Sequence, residues 1–167
     1  MPVGNDIQDR IARYIDDAIA VEAAAVTGLK DMISEATDPQ DAALFQQHLT
    51  ETERQKDRLE ARLKALGGTH SGLKDLMNKI GAAATDLLHG GKDAGDKATR
   101  NVVQAYTIEN LEVAMYESLA AAATEAGDTE TASLAKEIQA EEEAQAKKLF
   151  PRIAPLAVRA VREGVQT

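Results

Sequence analysis

Glutamates set among apolar residues are the first chemistry legible in this chain. At about 100° per residue, Ile11, Ile15, Ala18, Ala25, Leu29 and Ile33 share one helical face, and Glu22 stands at its centre. A second face holds Val102, Ala105, Ile108, Met115, Tyr116 and Leu119, with Glu109 and Glu112 inside it. A third is drawn by Leu134, Ile138, Leu149 and Ile153 around Glu142. A fourth runs through Leu44, Leu59, Leu63 and Leu66, with His48, Thr52 and Gln55 along its middle and Glu51 at its edge. A carboxylate buried alone is costly, so each must be paired, protonated or bound to a cation. Hard carboxylate oxygens converging from several helices suit one or two ions of iron, manganese or another divalent metal. The competing reading is a metal-free helical interaction or scaffold protein, its buried glutamates sharing protons or pairing with Arg54 or lysines.

Such faces need long helices held side by side, and the chain is built for them. It has 31 alanines, no Trp, and only Tyr14, Tyr106, Tyr116, Phe45 and Phe150 as aromatics; alanine is the best helix former, and strands want the residues missing here. The expected elements are helix A over 6–36, helix B over 39–66, helix C over 96–126 and helix D over 129–150. Asp38-Pro39 offers an N-cap with proline at the first helical position, Gly67-Gly68 stops B, Gly127 closes C, Asp128 caps D, and Pro151 is expected to end it. Short A–B and C–D links make antiparallel hairpins, whereas the crossover 67–95 is too long for a tight turn and carries its own amphipathic stretch, Leu73-Leu76-Met77-Ile80. One all-α domain over 1–167 follows, a four-helix bundle with the connectivity of ferritin-like folds. Heights agree: Glu22 precedes Asp38 by 16 residues and Glu51 follows it by 13, while Glu112 precedes Asp128 by 16 and Glu142 follows it by 14. At about 1.5 Å per residue each pair ends nearly level across its hairpin.

The chain resembles the YciE/YciF-type ferritin-like proteins, bacterial stress-associated proteins. The residues that carry the resemblance are Ala20-Val21-Glu22, His48-Leu49-Thr50-Glu51-Thr52 with Gln55, Ile108-Glu109 with Glu112 and Tyr116, and Lys136-Glu137 with Glu141-Glu142. The resemblance implies a ferritin-like dimetal fold, a dimer, and a link to stress responses. Dimetal sites of this class carry Glu-x-x-His on two helices; here Arg54 follows Glu51 and Gln145 follows Glu142 at that spacing. The site is then carboxylate-dominated, weaker or lost. Glu22, Glu51, Glu112 and Glu142 are the expected ligands, with Glu109 and His48 as additions, for an iron or manganese centre handling iron, oxygen or peroxide.

The remaining features bound the partners. A formal charge of -9 argues against phosphate-backbone binding and for attraction of cations. The absence of cysteine excludes disulfides, thiolate zinc sites and a cysteine nucleophile. No secretory leader or membrane-spanning stretch is visible, so a cytoplasmic protein is expected. His70 and His89, lacking nearby ligands, read as exposed loop residues. In the tail 151–167, Arg152, Arg159 and Arg162 alternate with Ile153, Leu156, Val158 and Val161. That pattern fits docking on a second subunit or an anionic membrane, and the simpler reading is a packing extension of helix D.

Overall fold

The computed structural model describes residues 3–70 and 94–164, and among them it shows four α-helices and no strand. These are α1 (Val3–Glu35), α2 (Pro39–Ala65), α3 (Ala94–Glu125) and α4 (Thr129–Gly164). The short helix expected inside the crossover lies outside the described residues, as does His89.

Local chemistry sets the hairpins. Asp38 caps α2 by accepting the Gln40 backbone N–H at 2.8 Å, with Pro39 at the first position where no N–H is needed. After α2, Gly67 takes φ 77°, Gly67 N–H donates to Lys64 O and Gly68 N–H to Leu63 O, each at 3.0 Å. Gly127, at φ 73°, closes α3 in the same way, with Asp128 N–H donating to Ala123 O. Both are Schellman ends, which need a left-handed residue. Asp128 then caps α4 through Thr131 N–H at 3.0 Å.

The two hairpins clasp each other reciprocally. Arg62, late in α2, donates to Asp128, Glu130 and Thr131 at the start of α4. Arg152, late in α4, donates to Gln40 and Asp41 at the start of α2. Helices α2 and α4 are therefore antiparallel neighbours. A shift of 90 positions lays Asp38 on Asp128 and Arg62 on Arg152, so the chain repeats itself with a pseudo-twofold relation.

Helix α4 corrects the expectation that helix D ends near Phe150: it continues through Pro151 and Pro155 to Gly164. Both prolines are exposed, on the side of the helix where water can take the place of the lost donors. On the other side Leu149, Leu156 and Ala160 are buried, and Arg152 and Arg159 reach Asp38. Packing and ion pairs outweigh the local proline signal, and the tail is a packing extension of the bundle. No described helix is long and apolar enough to cross a membrane.

Two apolar clusters fill the interior. One gathers Ile11, Ile15, Ile19, Leu59, Leu63, Leu119 and Ile138; the other gathers Leu29, Met32, Phe45, Leu49, Val102, Leu149 and Leu156. Each such side chain contributes about 1.5–3 kcal/mol on burial. Between the two clusters along the helices lies a layer that is almost wholly polar, and the clusters must offset its cost.

Candidate metal centre

Every helix sends a buried acid or base into that layer. Glu22 comes from α1, His48, Thr52 and Gln55 from α2, Glu109 and Glu112 from α3, and Glu142 and Gln145 from α4; all are at most 2 % exposed. The helical period dictates it, since each of these positions falls in the middle of an apolar stripe.

Three of them meet. One donor atom each from His48, Glu109 and Glu142 lies within 4.8 Å of the others. His48 Nε2 stands 3.0 Å from Glu109 Oε1, yet neither atom has the alignment of a hydrogen bond, and both count among the unpartnered polar atoms. Also buried without a partner are His48 Nδ1, Glu109 Oε2, Glu112 Oε1, Glu142 Oε1 and Glu22 Oε2. Native interiors rarely leave such atoms unsatisfied. So many acceptors around one imidazole fit a divalent cation with oxygen and nitrogen ligands.

Protonation points the same way. Burial, reinforced by the neighbouring carboxylates, pushes Glu22 and Glu112 well above the usual carboxylate range. Burial likewise lifts Glu109 to about 8 and Glu142 to about 9. Burial lowers His48 to about 4 against the pull of Glu142 and Glu51, leaving the neutral imidazole that a metal requires. Without a cation this layer must keep protons at neutral pH; a bound cation would displace them. The Tyr116 hydroxyl donates to Glu22 Oε1, so this tyrosine binds a carboxylate inside the layer.

Glu51 lies at the rim, its side chain 24 % exposed and 3.7 Å from Arg54; the inward register on α2 is His48, Thr52 and Gln55. Arg54 points away, 59 % exposed and bonded to Glu141 at 3.0 Å, so it does not compete for the buried carboxylates. His70 is an exposed loop residue as expected, and its ring sits 2.5 Å from Asp16. Gln55, read along the middle of its face, and Gln145, read at the histidine spacing after Glu142, are both buried in the layer. Gln145 Oε1 accepts from Lys148 at 3.1 Å and leaves Nε2 buried and unpartnered. Gln55 Nε2 donates to Glu141 at 3.0 Å and leaves Oε1 unpartnered. The 90-residue repeat, which pairs Gln55 with Gln145, is the sequence signal that finds them.

Two antiparallel hairpins with a long crossover and a carboxylate layer at mid-bundle define a ferritin-like four-helix protein. Residues 6–161 match the family described as a domain of unknown function, DUF892, and the chain belongs to that family. Among solved structures, a Xanthomonas campestris protein is 26% identical with a TM-score of 0.77, over 96% of this chain and 99% of its own. The E. coli stress protein YciF is 21% identical with a TM-score of 0.78, over 94% and 98%. A Desulfovibrio desulfuricans bacterioferritin with a diiron site is 19% identical with a TM-score of 0.70, over 92% and 84%. The last two share the fold.

Proposed function

We propose that this protein binds iron or manganese in its mid-bundle layer and serves in the handling of iron, oxygen or peroxide under stress. The observation that carries the reading is the convergence of buried ligating atoms from His48, Glu109 and Glu142 in the middle of the bundle. Glu22 and Glu112 flank these three within the buried layer, and Glu51 stands at its rim. A bound iron or manganese would supply redox or Lewis-acid chemistry; the chain's own part is to neutralise the ion, exclude water and hold protons on the carboxylates when no ion is present. The diiron bacterioferritin and the stress protein YciF, which share the fold, support the direction of the proposal. A metal-free scaffold can share a proton between Glu109 and Glu142, but it still leaves His48 Nδ1, Glu22 Oε2 and Glu112 Oε1 buried without partners.

Elemental analysis of protein purified without chelator and then loaded with ferrous iron or manganese tests it. At least one ion per chain is expected, and loss of that ion in a Glu109→Ala/Glu142→Ala variant that still shows a helical circular dichroism spectrum. No ion in the unmodified protein after loading with either metal sinks the proposal. Oxygen consumption on adding ferrous iron then separates an oxidase from a passive binder.

A further inference from the structure

We infer that the centre holds a single ion, seated against His48, Glu109 and Glu142, and that its twofold counterpart has no capacity for a second. The inference rests on the metal reading above and deepens it. The shift of 90 residues that aligns the helix caps of the two hairpins pairs Glu22 with Glu112, Gln55 with Gln145 and Arg62 with Arg152. A two-ion centre built on that symmetry would show its ligands twice. Applied to the three converging residues, the shift pairs His48 with Ile138, Glu109 with Ile19 and Glu142 with Thr52.

The counterpart is built as core. Ile19 and Ile138 are both 0 % exposed and belong to one apolar cluster with Ile15, Leu59 and Leu119. Thr52, 1 % exposed, offers a hydroxyl where the other half offers a carboxylate, and a neutral hydroxyl is a poor substitute for an anionic ligand. Glu22, the remaining acid on that side, has one oxygen engaged by the Tyr116 hydroxyl. Among the described residues, His48, Glu109 and Glu142 form the one group of three or more ligating side chains whose donor atoms lie together. The two halves share Glu22 and Glu112, the glutamines and the clasps, and differ at His48, Glu109 and Glu142.

Manganese loading of the full-length chain, followed by equilibrium dialysis, elemental analysis and electron paramagnetic resonance, tests the inference. One manganese per chain with an uncoupled six-line spectrum is expected. Two ions per chain, or an exchange-coupled signal, would overturn it. No ion at all is a different result, because it removes the metal reading itself. An Ile19→Glu/Thr52→Glu/Ile138→His variant restores all three missing ligands and is expected to raise the content from one ion to two. If that variant folds and still holds one ion, the part assigned to the counterpart residues is wrong. The spectrum of the unmodified protein decides the stoichiometry whether or not the variant folds.

Discussion

At the scale of single residues, the buried acids and the imidazole act in opposite directions on stability. Glu109 and Glu142 have folded pKa values near 8 and 9 against an ordinary 4.5, so the folded chain holds protons that the unfolded chain releases. Their contribution is fully present below about 4.5 and is lost as pH rises through those values. Glu22 and Glu112, also raised, add to the same trend. His48 is lowered from 6.5 to about 4, so its contribution is present above 6.5 and lost as pH falls toward 4. With the imidazole settled above 6.5, the metal-free protein should lose stability from pH 6.5 to 9, by up to about 1.4 kcal/mol per unit for each proton retained. Urea titrations across that range check this, and a Glu109→Gln/Glu142→Gln variant should flatten the slope. The burial of these acids is legible from the 3.6-residue period, because each interrupts an apolar stripe. The choice between Glu51 and Thr52 is not, since neighbouring positions differ by only 100° and the stripe of α2 is broad.

At the scale of elements, the hairpins and their turns follow from caps that are local and therefore readable: Asp38-Pro39, Gly67 and Gly127-Asp128 act within a few residues of themselves. The length of α4 was not readable, because its cause is remote. Pro151 and Pro155 are strong local stop signals, and what overrides them is the pairing of Arg152 with Asp41 and Asp38 on another helix. Asp41 is 5 % exposed at its side chain and Arg152 is 32 %, so an Arg152→Ala change leaves a nearly buried carboxylate without its cation. A loss of about 1–3 kcal/mol is expected, less than for a fully buried pair because the arginine reaches solvent. Arg62→Ala should cost a similar amount at the other end of the bundle, since Arg62 is 11 % exposed beside Asp128 at 16 %. Denaturant midpoints of the two variants, with unchanged slopes, check the symmetry of the clasps.

At the scale of the whole molecule, the fold class was legible because hairpin links and one long crossover leave few alternatives. Self-association was expected from resemblance alone, and one face now offers a place for it. The outer side of α3 and α4 exposes Phe150 at 61 %, beside Tyr106, Val113, Ala146, Lys147 and Glu143. Lys147 and Glu143 stand 3.8 Å apart beside the exposed ring, so the face is apolar with a charged rim, as association surfaces are. Light scattering should report a dimer for the unmodified chain and a monomer for Phe150→Glu. The polar layer between two apolar clusters has a consequence beyond binding. A ligand that prefers the folded chain adds about 2.7 kcal/mol of stability at one hundred times its dissociation constant. The fraction of chains open to proteases at any moment therefore falls with metal supply. On the metal reading, scarcity shortens the lifetime of the protein: its abundance in the cell becomes a running record of how much ion has been available.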